Sequence, residues 1–192
     1  MNRSHIISLP DPRLRETSKR IGHVDDSTRA LAEDMIRATL DWERSRDHEL
    51  GAALAAVQVG ILLRMVVIRN DFDDPVDNSF AVFINPEIVK AEGLPTIDIE
   101  GCLSVAGIYG RVSRYPKVKI KALNLHGEPV RVTATGFLAR VFQHEIDHTK
   151  GTVFVDHVAD ASDLFRMDSQ GEFRPLGPDQ APGLLSGQNQ HV

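Results

Sequence analysis

The chain has 192 residues, of which 42% are hydrophobic and 26% charged, and its formal net charge is −5. This length predicts one domain with a buried core, and the acidic balance predicts neither a nucleic-acid nor an anionic-membrane partner. No apolar stretch approaches the roughly 20 residues that cross a bilayer, and no signal-peptide core is present, so we expect a cytoplasmic location. The single cysteine, Cys102, excludes an intrachain disulfide framework and fits a reducing compartment.

The first predicted helix follows an extended arm of about 20 residues that prolines interrupt. Asp25, Asp26 and Ser27 are candidate N-caps, and Leu31, Met35, Ile36 and Leu40 then recur at helical spacing. We therefore expect an amphipathic helix that reaches about residue 42, with the charged segment 41–49 as its end or a loop.

Strand patterns dominate the middle of the chain. Two apolar runs, "LRMVVIRN" (63–70) and "FAVFINPEIV" (80–89), read as strands, and Pro86 is expected to kink or end the second. The acidic segment "DFDDPVDN" between them lacks EF-hand spacing and predicts a plain turn. Lysines alternate with Val118, Ile120 and Ala122 before a turn at "HGEP", which predicts an antiparallel hairpin.

A second helix is predicted for "FLARVFQHEIDHTKG" (137–151), with apolar residues around much of its circumference and Gly151 as its terminator. Strands grouped around one buried helix, without alternating βαβ units, predict an α+β fold. We expect a single catalytic domain over residues 1–165 and a mobile, proline- and glycine-rich tail over residues 166–192.

The second helix carries a potential metal site. His144 and His148 are one helical turn apart with Glu145 beside the first, the His-Glu-x-x-His pattern of a metal-binding pair and an attendant base. Two hydrogen-bonded core histidines are the alternative. A catalytic centre needs a third ligand, since three protein ligands usually leave one position open. His157 does not have the metzincin spacing, whereas the thiolate of Cys102 in "EGCLS" would suit zinc or ferrous iron.

Three ordered segments of the chain resemble the three motifs of peptide deformylases. These are "GAALAAVQ" (51–58), "EGCLS" (100–104) and "QHEIDH" (143–148), and the similarity extends to "PDPRLR", "FINPEI" and the hairpin before the second helix. The resemblance covers roughly residues 5–158. It implies antiparallel sheets around a buried metal-binding helix, and hydrolysis of the N-formyl group from the methionine that starts nascent proteins.

The resemblance also implies a role for each motif residue. Cys102, His144 and His148 would hold one divalent metal ion per chain, natively Fe²⁺ with Zn²⁺, Ni²⁺ or Co²⁺ able to substitute. Glu145 would be the base, while the Gln58 amide and the Leu103 N–H would stabilise an oxyanion. Ala53, Gly101, Ile146 and Tyr109 are candidate substrate-binding residues. N-formylmethionyl nascent peptides are the implied partners, with a transient ribosome contact and a monomer or weak dimer as further expectations.

The motifs depart from the family pattern at four positions. Ala53 replaces a usual glycine, Val57 and Ala106 replace prolines, and Thr149 replaces a commoner leucine. If position 53 requires a positive φ, alanine is strained there, and in any case its methyl group would narrow the cleft. Two alternatives follow: a divergent deformylase acting on another N-formyl amine, and a metal-binding paralogue without catalysis. Asp147 and Glu100 are candidate anchors behind the metal ligands, with Arg114 as the expected partner of Glu100.

Overall fold

The computed structural model describes residues 1–47, 49–74 and 76–176. The fold is α+β, as predicted, with two helices and two antiparallel sheets. The helices are α1 (Asp26–Glu43) and α2 (Gly136–His148). The strands are β1 (Ala53–Ala55), β2 (Met65–Arg69), β3 (Phe80–Glu92), β4 (Thr96–Gly101), β5 (Ile108–Arg114), β6 (Lys117–Leu123), β7 (Pro129–Thr135), β8 (Leu164–Met167) and β9 (Phe173–Pro175).

Both predicted helices form where their sequence signals place them. The Asp25 carboxylate caps α1 by accepting from the Thr28 backbone N–H at 2.9 Å. α2 ends at His148, and Gly151 follows with φ +80°, a conformation that glycine adopts at little cost. Within the described residues, neither helix combines the length and apolarity that crossing a bilayer requires.

The larger sheet has the strand order β1-β2-β3-β6-β7 and a helix on each face. Alternate residues of β2 point to opposite sides, because side chains in a strand alternate between faces. Val66 and Ile68 pack in the cluster that contains Phe142 and Ile146 of α2. Met65 and Val67 pack in the cluster that contains Met35 of α1. We call these the inner and the outer face.

β3 continues through Pro86 rather than ending there. Its register with β6 shifts between Ile84 and Glu87, and Asn85 has φ +52°. The Asn85 side chain bonds the backbone of Ile21 in both directions, at 2.9 and 2.8 Å, which holds this unusual conformation. The kink expected from the proline is thus a β-bulge inside one long strand.

The smaller sheet has the order β4-β5-β8-β9. β8 pairs with β5 and β9 pairs with β8, so paired strands continue through Pro175, and Leu176 is buried in the core cluster beside them. Residues 166–176 of the predicted tail therefore belong to the folded domain. Strands of four and three residues are too short to show periodicity in sequence. Residues 177–192 lie outside the described residues.

The N-terminal arm, residues 1–20, contacts the first two motif segments and the residue that follows the third. Its backbone N–H groups at Ile7, Leu9 and Ser18 donate to the carbonyls of Gln58, Ser104 and Thr149 at 2.8, 3.0 and 2.9 Å. Leu14 is fully buried in the same cluster as Cys102. The arm thus joins the segments that are distant in sequence.

Candidate metal centre and active site

Three potential metal ligands meet between β4 and α2. Cys102 follows the end of β4, while His144 and His148 lie one turn apart on α2. One ligand atom from each lies within 4.8 Å of the others, and Cys102 Sγ is 3.3 Å from His148 Nε2. The sequence prediction that Cys102 completes the histidine pair is confirmed at the level of this geometry.

The chemistry of these donors fits a divalent metal ion. One thiolate and two imidazoles are a borderline-soft set, and three protein ligands leave a position for substrate or water. His148 is fully buried, and burial is the main cause that lowers its pKa well below the ordinary value. His144 Nδ1 lies 3.0 Å from Glu100 Oε2, which orients its other ring nitrogen toward the ligand cluster.

A buried ion network supports Glu100 behind the metal ligands. Arg114 donates to both carboxylate oxygens of Glu100 at 2.9 and 3.1 Å, which confirms the predicted pair. Arg114 also donates to Asp147 Oδ2 at 2.6 Å, and Arg140 donates to Glu100 at 2.9 Å. Although burial opposes ionisation, His144 and Arg114 hold the pKa of Glu100 well below its usual range. Glu100 is therefore a charged acceptor that fixes the ring of His144.

Glu145 is buried beside the ligand cluster with one carboxylate oxygen unengaged. Within the described residues its Oε2 has no hydrogen-bond partner. Burial raises the pKa of Glu145 to about 7, against the opposing charge of His144. A buried carboxylate oxygen without a partner is costly, so its position fits a group that meets another polar atom during function.

Gln58 approaches the same cluster from the first motif. Its Oε1 accepts from the Ala55 N–H at 2.8 Å, which fixes the amide orientation. Its Nε2 then points to Cys102 Sγ at 3.4 Å and Ser104 Oγ at 3.2 Å. The neighbouring Leu103 N–H has no hydrogen-bond partner within the part of the chain that the structure describes. Two donors therefore flank the thiol.

A cavity of about 260 Å³ opens over these groups. Ala53, Gly101 and Tyr109 line it, together with Cys102, Leu103, His144, Glu145 and Gln58. A Cβ at Gly101 would lie 2.6 Å from the Tyr109 ring, so only glycine allows that close approach. Ile146 instead packs into the inner-face cluster, because it points away from the cavity around the helix. Its place in substrate binding stays a prediction.

The departures from the family pattern cause no backbone strain. Among the described residues Asn85 is the only non-glycine with positive φ, so Ala53 adopts an ordinary strand conformation. Ala53 lines the cavity, so the expected consequence of this substitution is a narrower cleft. The hydroxyl of buried Thr149 donates to the Ile146 carbonyl at 2.7 Å and is satisfied without leucine's bulk.

Several cavity residues were not identified from sequence. Arg140 is buried, lines the cavity and also donates to the backbone carbonyls of Val112 and Thr96. A signal existed, because Arg140 precedes His144 by four residues and so shares its helix face. Glu49 accepts a hydrogen bond from the Tyr109 hydroxyl at the cavity, and burial together with this carboxylate raises the pKa of Tyr109. No sequence pattern links those two residues.

His157 lies 2.8 Å from Asp147 Oδ2 and stands outside the ligand cluster.

Comparison with known proteins agrees with this geometry. A sequence model of the family described as polypeptide deformylase matches residues 3–163. A peptide deformylase of Thermomicrobium roseum is 45% identical over 170 residues, covering 87% of this chain and 92% of that protein. One from Mesorhizobium japonicum is 40% identical over 95% of this chain and 97% of its own length.

Solved structures of the same family share the fold. A Synechococcus elongatus peptide deformylase in complex with actinonin superposes with a TM-score of 0.74 at 35% identity, covering 81% of this chain and 80% of that one. The Thermotoga maritima enzyme gives 0.71 at 34% identity, over 81% of this chain and 97% of its own. The chain therefore belongs to the polypeptide deformylase family, and it is a metal-dependent hydrolase with peptide deformylase activity.

Proposed function

We propose that the chain removes the formyl group from the N-terminal formylmethionine of nascent polypeptides and releases formate. The observation that carries the proposal is a cluster of three potential metal ligands, two of which line one cavity together with a buried carboxylate and two hydrogen-bond donors. Acyl-transfer chemistry requires these elements together: an electrophile, a base and donors for a developing oxyanion.

Cys102, His144 and His148 would hold one divalent cation. When bound, such an ion supplies Lewis-acid polarisation of a carbonyl oxygen and a lowered pKa for attacking water. We propose Fe²⁺ as the native ion, with Zn²⁺, Ni²⁺ or Co²⁺ able to substitute, since a mixed thiolate and imidazole set accepts each of them.

Glu145 is the proposed general base and later the general acid. Its carboxylate would take the proton of the attacking water and deliver it to the departing amine. Glu145 lines the cavity, and its Oε2 has no hydrogen-bond partner within the described residues, which supports this assignment. Proton transfer by a positioned side chain typically contributes 10²–10⁴-fold to the rate.

Gln58 and Leu103 are the proposed oxyanion donors. The Gln58 amide is held by the Ala55 N–H with its NH₂ group directed at the thiol, and the Leu103 N–H lies next to it in sequence. Because both are oriented before substrate arrives, they would stabilise developing charge without reorganising at the moment of reaction.

The peptide part of the substrate would lie between two sheet edges. β1 is an edge strand of the larger sheet and β4 of the smaller one, and Ala53 and Gly101 of these strands line the cavity. An extended peptide can pair with such exposed backbone groups. The methionine side chain would enter the largely apolar cavity near Tyr109, with Ile146 supporting the helix from beneath.

The wider setting of the reaction is also proposed. We infer action in the cytoplasm on nascent chains, with a transient ribosome contact, by a monomer or weak dimer. A single catalytic domain would carry the whole reaction, since every proposed site residue lies between Ala53 and His148.

Formate release tests the proposal against its two alternatives. The protein is purified anaerobically with Fe²⁺ or Ni²⁺ and assayed on N-formyl-Met peptides and on other N-formyl amines. Turnover of the formyl-Met peptides is the expected result. Turnover of only the other amines would favour a divergent deformylase, and metal binding without turnover would favour a non-catalytic paralogue.

A further inference from the structure

The outer face of the larger sheet is covered by α1 over only part of its width. α1 packs over residues of β1, β2 and the first half of β3, among them Leu54, Met65 and Ile84. On β6 the outer positions are Lys117, Lys119 and Lys121, which alternate with the inward-facing residues of that strand. The β6–β7 half of the outer face thus presents charged side chains.

The strand register brings like charges directly opposite one another on this half. Lys90 of β3 lies opposite Lys119, and Arg131 of β7 lies opposite Lys121. Like charges at directly opposed positions destabilise a sheet. This face therefore carries a cost that an anionic partner would relieve.

Two carboxylates compensate only part of the positive charge. Glu87 bridges Lys121 and Arg20, and Glu92 bridges Lys90 and Lys117. Hydrogen bonds from Lys90 and Lys117 lower the pKa of Glu92 to about 2, as expected beside a cluster of cations. Within the described residues, neither Lys119 nor Arg131 forms an ion pair. The basic face comprises six cations: Arg20, Lys90, Lys117, Lys119, Lys121 and Arg131.

The basic face also has a hollow and hydroxyl donors. Arg20, Lys121 and Arg131 line a depression of about 230 Å³. Thr133 and Thr135 occupy the outer positions of β7 opposite Lys119 and Lys117. Threonine hydroxyls and basic side chains are the groups that contact phosphates in nucleic-acid complexes.

We propose that the basic face binds the sugar–phosphate backbone of structured RNA. The net charge of the whole chain, −5, predicts no nucleic-acid partner. On this one surface, however, six cations are concentrated with only two carboxylates. RNA fits better than a membrane surface, because the outer positions of β6 and β7 carry no exposed aromatic or leucine side chain to enter lipid. The one leucine there, Leu123, packs partly buried against the α1 side of the sheet.

The basic face leaves the catalytic cavity open. α2 and the ligand cluster lie against the inner face of the sheet, whereas the lysines project from the outer face. A bound RNA would therefore not cover the mouth between β1 and β4. The choice of RNA as the physiological partner rests on the ribosome contact proposed above, with the basic face as the contacting surface.

Fluorescence anisotropy with a labelled RNA hairpin tests this inference. A stem of about 16 base pairs is suitable, since double-stranded-RNA-binding domains cover that length. The test variant is Lys119→Gln with Arg131→Gln. It removes the two cations of the basic face that form no ion pair within the described residues. The matched control, Lys150→Gln with Arg166→Gln, removes the same charge from exposed residues elsewhere.

We expect the test variant to bind the hairpin about tenfold more weakly, with a salt dependence reduced by about 1–2 in log–log slope. The control should bind like the parent protein, and both variants should release formate from a formyl-Met peptide at the parent rate. Equal binding by test and control variants would overturn the proposal. Tighter binding to vesicles of phosphatidylcholine and phosphatidylglycerol than to RNA would overturn it as well. If the parent protein bound the hairpin but released no formate, only the proposed catalytic function would be contradicted.

Discussion

Glu145 and Cys102 both touch the candidate centre, but their proposed tasks differ and can be separated by mutation. Glu145→Gln should retain bound metal and lose about 10²–10⁴-fold in turnover, because the base is removed while the ligands stay. Cys102→Ser should lose the metal itself, since a hydroxyl is a much weaker ligand than a thiolate. Metal content by elemental analysis and formate release are measured on the same samples. A fully active Glu145→Gln protein would show that another group is the base.

Ala53 tests whether one methyl group limits substrate access. Its side chain lines the cavity and its backbone is unstrained, so Ala53→Gly should raise kcat/KM on formyl-Met peptides, by up to about tenfold. Ala53→Val should lower it. Glycine in a strand also costs about 0.5–1 kcal/mol of stability.

The matched control for that substitution is Ala134→Gly. Ala134 is a buried strand alanine of β7 that does not line the cavity. It should show the same loss of thermal stability with unchanged kcat/KM. Equal changes in kcat/KM at the two positions would show that the methyl group of Ala53 does not limit substrate access.

Among whole elements, β4, β5 and α2 are joined by the Glu100 network. Arg114→Met would leave the buried Glu100 and Asp147 with fewer cations, and we expect a loss of about 3 kcal/mol in the free energy of unfolding. This is the low end for a broken buried pair, because Arg140 still accompanies Glu100. Urea titration measures the change.

Arg111→Met provides the comparison within the same strand. The side chain of Arg111 is 52% exposed, whereas that of Arg114 is 6% exposed. The ion pair of Arg111 with Asp163 is 3.3 Å long. Surface pairs contribute about 0–1 kcal/mol, so this variant should be nearly as stable as the parent. Similar losses for both variants would mean that burial does not decide the strength of these pairs.

The N-cap of α1 predicts a pH-dependent contribution to stability. Hydrogen bonds from Ser27 and Thr28 hold the pKa of Asp25 below its ordinary value. The unfolded chain therefore binds this proton more readily than the folded chain does. The cap's contribution is complete above the unfolded carboxyl pKa of about 4 and disappears as the pH falls through the lower folded value.

Thermal melts of Asp25→Ala across that range test the cap. The variant should melt below the parent at neutral pH, and the difference in Tm should shrink as the solution is acidified below about pH 4. Asp25→Asn keeps a good N-cap without a titrating group and should stay close to the parent at neutral pH. A difference in Tm that does not change with pH would contradict the assignment.

For the molecule as a whole, local patterns predicted more of the site than of the architecture around it. The ligand helix, its base and Cys102 stand in short motifs, and the spacing of His144 and His148 is readable without a structure. The Arg140 contacts and the Tyr109–Glu49 hydrogen bond join residues distant in sequence, and such pairs leave no periodic signal. The position of β1 and β4 as sheet edges likewise depends on strand pairing that alternation alone does not specify.

The basic face could not be predicted from the net charge of the chain. A net charge of −5 describes the whole chain, whereas the lysines of β6 become one surface only when β3 and β7 pair on either side of it. The hairpin was predictable from its alternation and turn. Its basic partner on β3, Lys90, was not, because two register shifts, between Ile84 and Glu87 and between Ile88 and Lys90, set that pairing.

The contacts of the N-terminal arm with two motif segments and with Thr149, next to the third, imply thermodynamic linkage between metal binding and arm docking. Whatever stabilises the ligand cluster should lower the fraction of molecules in which the amides of Ile7, Leu9 and Ser18 are open to solvent, since their acceptors lie in or directly after the motif segments. Hydrogen–deuterium exchange should therefore show these amides losing protection when metal is chelated, more than the β6–β7 ladder does. Arm exchange that is indifferent to metal would mean that the two equilibria are independent. If they are linked, a fusion that displaces the arm weakens metal affinity without touching a ligand.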